Sequence, residues 1–346
     1  MKHVCSIITW WYTDAAAEEL SAGEMLTGSA AARQLFPNLK VIGCEQAHTS
    51  RRVLERPQKA EPYLEEVARH FLWNMDSIAS LFQHSDGSRG IFQAASRELD
   101  EAQNINRLRF RRHRFDSQAE PLSRMSVAFD ALLQSASQIS HARRNEDAGK
   151  QAANFLQWIT DESALQMAML ADASDQVLTL VRKQDADCPD PALHASFVKA
   201  FILEGTRYWL ENHCWPNGCT NIMMRGRAKP RVYLIGGGSL GALEIGGRCD
   251  DALKERCLGR MRCWFRLAID VCHAEFPYFE IIHSFQVFNL HDAPIDGGCQ
   301  PDDDDGTGAS VSLERLANVW WSQCNYSVRA ISSASANCSL GEAGAG

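Results

Sequence analysis

The sequence predicts a mainly α protein with a small α/β part at its start. Three observations carry that expectation. A β-branched and aromatic run, Ser6-Ile7-Ile8-Thr9-Trp10-Trp11-Tyr12, gives way at once to an Ala/Glu/Leu-rich stretch, the change of composition that separates strand from helix. From Tyr63 onward, apolar residues recur at spacings of three and four, the period of one buried helix face. Proline and glycine fall mainly between these stretches, where they act as breaks.

Taken in order, Ser6–Tyr12 reads as a strand ending at Thr13-Asp14, and Ala15 to Leu26 reads as a helix. Pro37-Asn38 turns the chain into a second strand, Leu39-Lys40-Val41-Ile42, and His48 to Leu54 has helical composition. Strand, helix, strand, helix is a parallel α/β unit. After Pro57 the residues Tyr63, Val67, Phe71, Met75, Ile78 and Phe82 mark one helix face. The same period returns in Leu122 to Ile139, Ala153 to Ile159, Leu165 to Val181, Phe197 to Leu210 and Leu253 to Phe288. Asn217 to Gly247 is rich in glycine around one short apolar run, Arg231 to Ile235, and reads as a long loop or a hairpin.

The expected organisation is therefore an α/β unit over 1–56, a helical domain over 57–294, and a tail over 295–346. That tail carries Asp302-Asp303-Asp304-Asp305, one helical stretch at Leu313 to Trp321, and a Ser/Ala/Gly-rich end. Its apolar content is too small to offset the entropy of ordering, so disorder is expected there.

Composition narrows the function classes. At 346 residues and 45% apolar the chain can bury a substantial core. A net charge of -8 argues against a surface built throughout for nucleic acid, so any contact with phosphates must be local. No run approaches a membrane span, and Met1 to Ile8 lacks the apolar core of a signal peptide. No membrane partner is expected. The 12 cysteines are scattered, several within helical patterns, which fits reduced thiols in the cytosol or nucleus.

The order strand, Thr13-Asp14-Ala15-Ala16, helix, strand, Cys44-Glu45-Gln46-Ala47-His48 resembles the second half of the ribonuclease H-like core of hAT-family DNA transposases. Arg114-Phe115-Asp116-Ser117 is similar to the Arg-Trp-x-Ser signature that opens the family's helical insertion, and Phe276-Pro277 to Phe288 to a segment near its far end. The resemblance covers residues 5 to 290, and its weight lies in the order of short motifs. It implies that Asp14 matches the second of three metal-binding carboxylates. It also implies that Glu45 and His48 occupy the Cys/Asp-x-x-His position, with Glu45 a departure from the pattern, and that the protein is nuclear. Without the resemblance, a cytoplasmic location fits as well.

Transposition at phosphodiesters needs two divalent ions held by several carboxylates, and this sequence offers one. The expectation is that it begins too late for the strand bearing the family's first Asp. Ser312-Leu313-Glu314-Arg315 is only an echo of the context of the last. No cofactor is expected, Mg²⁺ or Mn²⁺ being required only if the chain is catalytic. The plainer reading of Asp14 is a cap on the helix that follows, and of Glu45 and His48 a helix-start pair.

Arg107, Arg109, Arg111, Arg112 and Arg114, interleaved with Leu108, Phe110 and His113, form a dense basic run. It suits a phosphate backbone or a nuclear-import patch, or else a solvated segment balancing Glu98, Asp100 and Glu101. Gly236-Gly237-Gly238-Ser239-Leu240-Gly241 fits Gly-x-Gly-x-x-Gly, but a dinucleotide site needs that turn to open a helix within strand-helix repeats, so a flexible loop is expected. His213, Cys214, Cys219, Cys249, Cys257, Cys263, Cys272 and His273 lack the Cys-x-x-Cys pairing of a zinc site, and the cysteines read as buried thiols. Trp73, Phe155, Trp158, Tyr208, Trp209, Trp264 and Phe265 are assigned to packing. The functional expectation is a transposase-derived fragment without catalysis of its own, associating with DNA or with protein. Its rivals are a metal-dependent nuclease or strand-transfer enzyme centred on Asp14, and a nucleotide-binding protein using Gly236 to Gly241.

Overall fold

A computed structural model of the chain describes residues 10–13, 41–44, 46–99, 108, 110, 118–185, 191–247 and 249–276. These residues are mostly helical, with two short strand pairs. The chain forms two compact units, one of Met1–Cys44, Lys183–Ala200 and His273–Gly346, the other of Glu45–Arg182 and Phe201–Cys272.

In the first unit, β1 (Trp10–Thr13) and β2 (Val41–Cys44) pair in parallel, from Trp10 opposite Val41 to Thr13 opposite Cys44. Parallel pairing requires a long crossover, which residues 14–40 supply. The helix expected over Ala15 to Leu26, and everything from 277 onward, lie outside the described residues.

The second unit opens with α1 (Gln46–Ala60), which runs through Pro57 rather than ending before it. A proline this close to the end removes one ladder bond, and the helix resumes its bonding with Glu61 N donating to Pro57 O at 3.2 Å. Next come α2 (Pro62–Ala68), continued by a π-turn at Arg69–Trp73, and α3 (Ile78–Gln83). The single apolar face expected from Tyr63 to Phe82 is thus divided between two helices. Ser77 starts the second, accepting from Ser80 N at 3.2 Å and donating to Leu72 O at 3.1 Å. Met75, counted in that periodicity, lies in the break and is 88% exposed.

Then follow α4 (Asp86–Glu98), α5 (Ala119–Val127), α6 (Phe129–Ala142), α7 (Asp147–Trp158) and α8 (Asp161–Gln184). Leu122 to Ile139 is accordingly two helices, parted at Ala128, whose φ and ψ of -104° and 37° are not helical. Ser85 caps α4, and Thr160 with Ser163 forms a reciprocal box at the start of α8, with bonds of 2.9 and 3.2 Å. From Ala164 to Ala173, α8 has every apolar side chain buried, as a helix surrounded by others must.

The remaining elements are α9 (Pro191–Gly205) with a π-turn at Thr206–Leu210, α10 (Gly218–Gly226), β3 (Arg231–Leu234), β4 (Ala242–Ile245) and α11 (Asp251–Glu275). The segment Asn217 to Gly247 therefore begins with a helix and ends in an antiparallel hairpin, Arg231 opposite Ile245 through Leu234 opposite Ala242.

One core gathers Phe71, Phe82, Phe92, Leu132, Ile139, Phe155, Leu170, Tyr233 and Ile245 among others. Phe71 meets Phe155 edge to face at 5.5 Å, and Phe82 lies 5.1 Å from Phe92. Trp209, Trp264 and Phe265 are buried with ring separations near 6 Å. No helix among the described residues is long and apolar enough to cross a membrane.

Candidate functional site

The segment from α10 to β4 is fastened to the helical body by three carboxylates. Asp172, buried on α8, accepts from Cys219 N at 2.7 Å, Thr220 N at 2.9 Å, Thr220 Oγ1 at 2.6 Å and Tyr208 OH at 2.8 Å. Asn217, at the N-cap of α10, makes no capping bond with its own side chain. A carboxylate from another helix therefore satisfies the orphan N–H groups and faces the positive end of the helix dipole. Burial pushes the Asp172 carboxyl above its usual range, against the downward pull of these donors, and burial with the adjacent carboxylate raises the Tyr208 phenol.

Asp130 on α6 is the second fastener. Arg227 Nη2 and Arg231 Nη1 each reach it at 2.6 Å, and Tyr233 OH donates at 3.1 Å. Arg227 and Asp130 have side chains only 6% exposed, and the Arg227 guanidinium sits 4.2 Å from the centre of the Phe129 ring. Burial lowers the Arg227 pKa while Asp130 opposes that shift, and burial together with Asp130 raises the Tyr233 phenol to about 12. Asp161, the third, accepts Gly246 N at 2.7 Å.

Hydroxyls hold the hairpin's far end. Ser137 Oγ donates to Leu234 O at 2.6 Å, and Ser140 Oγ accepts Gly236 N at 2.9 Å. His141 packs so closely on Gly237 that a Cβ there would overlap its ring. The Gly-x-Gly-x-x-Gly run closes the hairpin: Ile235 N bonds Gly241 O at 2.9 Å, Leu240 N bonds Ile235 O at 3.1 Å, and Gly236, Gly237, Gly238 and Gly241 all have positive φ. The nucleotide-binding alternative at Gly236 to Gly241 needs this turn to open an α-helix. The turn joins two antiparallel strands through one 3-10 turn at Gly236–Gly238, and no α-helix follows it before β4, so it lacks the α-helix N-terminus that holds a pyrophosphate. It is also a fastened turn rather than a loose loop.

What this segment presents outward is a mixture of cations and apolar groups. Arg225 and Lys229 are exposed and the Arg231 side chain is 46% exposed. Val232, Leu234 and Leu240 are 64%, 51% and 53% exposed. Exposed cations thus lie beside exposed apolar side chains on this segment.

A further cluster ties α11 to α8. Glu162 accepts Arg256 Nη2 at 3.1 Å and forms an ion pair with Arg260 Nη1 at 2.6 Å. The Arg260 guanidinium lies 4.1 Å from the Tyr63 ring centre. Partial burial would raise Glu162, but the two guanidiniums outweigh it and hold the carboxyl below its usual range. Burial and Glu162 push Tyr63 up to about 12.

Of the residues singled out in the sequence, Asp14 and Glu45 lie outside the described residues, as do Arg107, Arg109, Arg111, Arg112 and Arg114. The positions just before Asp14 and Glu45, Thr13 and Cys44, are register partners at the ends of β1 and β2. His48 falls within α1, its side chain outside the description. Within the basic run, Leu108 is buried and Phe110 packs against the core with its N–H donating to Gln83 Oε1 at 3.3 Å. Any grip by that run therefore rests on its arginines and not on a free aromatic face. Cys214, Cys219, Cys257 and Cys272 are buried thiols, with burial raising each to about 11 or 12, whereas Cys249 is half-buried and Cys263 is exposed, which corrects the expectation for those two. Asp130, Asp161, Asp172 and Glu162 were not singled out by sequence reasoning. For Asp130 and Asp172 a signal existed: each interrupts an otherwise apolar helix face.

Among the described residues, no three His, Cys, Asp or Glu side chains converge as a metal site. No family model, curated protein or solved structure matches the chain.

Proposed function

We propose that the chain is a hAT transposase-derived binding module, associating with DNA or with a protein partner and not carrying out strand transfer by itself. In this reading the parallel β1–β2 pair belongs to a partial ribonuclease H-like unit, and the helical body corresponds to the family's insertion. The protein would act in the nucleus and need no cofactor.

One observation carries the binding role: a hairpin held at its base, strands and turn by Asp172, Asp130, Asp161, Ser137 and Ser140, with Arg225, Lys229, Val232 and Leu234 facing outward. Fastening of this kind lowers the entropy lost on association. The Arg107–Arg114 run is the second basic element on which DNA contact would rest.

The test is fluorescence anisotropy of the full chain with labelled duplex DNA at several salt concentrations. Binding in the micromolar range that weakens steeply with salt is expected, together with no cleavage in Mg²⁺ or Mn²⁺. Metal-dependent nicking abolished by Asp14→Ala would overturn the non-catalytic reading. Absence of DNA binding at low salt would leave only its protein-partner arm, tested by cross-linking of the hairpin face.

A further inference from the structure

We propose that the outward face of the β3–β4 hairpin docks a short peptide segment of a partner protein, acidic at one end and aliphatic at the other. The proposal rests on the binding-module reading and commits this face to its protein arm. Successive side chains of a strand point to opposite faces. Tyr233 and Ile245 turn into the core, while Val232 and Leu234 turn out and are exposed. Their register partners Glu244 and Ala242 are exposed with them, and Leu240 carries exposed apolar surface into the turn. Aliphatic side chains held in water on a fastened frame are contact area that loses little further entropy when covered.

Charge selects the occupant. Arg227 and Arg231 are answered by Asp130, whereas the exposed Arg225 and Lys229 form no ion pair among the described residues. Both precede β3 in the chain, so the cations stand at the base of the hairpin and the aliphatic side chains run from there toward its turn. Carboxylates at one end of a peptide complement the cations, and its apolar side chains cover Val232, Leu234 and Leu240. Nucleic acid carries charge along its whole length. Val232 and Leu234 offer its phosphates no hydrogen bond, and the Glu244 carboxylate, opposite Val232, repels them. β3 has 4 residues, a length of roughly 13 Å, so the occupant is a short segment and not the face of a folded domain.

The experiment is fluorescence anisotropy of the full chain with a labelled synthetic peptide of about eight residues, aspartates at one end and alternating leucine and serine at the other. Saturable binding is expected, weaker by about tenfold or more when lysines replace the aspartates or serines replace the leucines. Val232→Ser with Leu234→Ser, and separately Arg225→Ser with Lys229→Ser, should each weaken it by a similar factor. Circular dichroism should not change, because these side chains are exposed. No binding, equal binding of the peptide and its controls, or full affinity in either double variant would refute the proposal. A DNA duplex, or a concentration-dependent dimer, whose binding is lost in Val232→Ser with Leu234→Ser would refute it too, by assigning the face to nucleic acid or to a second copy. If the peptide fails while DNA still binds that double variant, this inference falls and the binding module stands; if peptide and DNA both fail, the two fall together.

Discussion

Asp130 is a single carboxylate answering two arginines and a phenol, and removing it would strand Arg227 in the core. Asp130→Ala should cost about 3–5 kcal/mol, because an uncompensated buried charge is far more expensive than the pair is favourable. Urea denaturation with an unchanged m-value would check it, and a loss under 1 kcal/mol would mean that Arg227 escapes to solvent. Asp172 and Glu162 should leave opposite marks on stability at acid pH. The folded-state pKa of Asp172 is raised, so the native state binds its proton more readily than the unfolded chain, and its contribution declines as pH rises from about 4 through the folded value. For Glu162 the folded pKa is lowered, so its contribution is present above the unfolded value and lost as pH falls through the folded one. Relative to wild type, Asp172→Asn should therefore gain ground as pH rises across that window, and Glu162→Gln should lose it. Parallel stability curves for the two variants would contradict this account.

Glycine positions separate the elements by what surrounds them. Gly218 opens α10 with φ +63°, and a Cβ there would overlap the Asp172 carboxylate. Gly218→Ala should thus be destabilising by about 2 kcal/mol through backbone strain and a displaced cap. Gly259, within α11, has open space where a Cβ would sit and no positive φ, so Gly259→Ala should stabilise by about 1 kcal/mol. Thermal melts of the two variants should move in opposite directions. The element scale also shows how legible the chain was. Caps and helix starts such as Ser77, Ser85 and the Thr160–Ser163 box are local patterns, readable from spacing. The break after Trp73 was not: Met75 continues the apolar period in sequence, yet the Ser77 cap starts a new helix and leaves Met75 in water. Periodicity records which residues are apolar, but not whether the backbone between them stays helical.

For the whole molecule, the body of helices around α8 acts as a base on which the hairpin is mounted. Asp161→Ala combined with Ser140→Ala should raise amide exchange across β3 and β4 well above that of α6, since the two bonds removed lie between the hairpin and helices otherwise untouched. Uniform exchange across both would show the hairpin to be part of the same cooperative unit. If DNA is the partner, each phosphate contact should contribute about 0.9 to the slope of log affinity against log salt. Arg225→Ala with Lys229→Ala should then flatten that slope by about 2, and an unchanged slope would place the contact on the Arg107–Arg114 run instead.

Residues a few positions apart determined much on their own: the mainly helical class and the burial of Phe155, Trp209, Trp264 and Phe265. Helical period and capping act over three or four residues, so the sequence carries them directly. Only the tertiary structure decided that Asp172 caps a helix 47 residues away, that Asp130 anchors an arginine 97 residues away, and that the glycine-rich run closes a hairpin. Those partners meet because apolar faces pack first and bring distant charges into a low-dielectric interior. Left unpaired there, each charge would cost several kcal/mol. Nothing in the local sequence names the partner that prevents it.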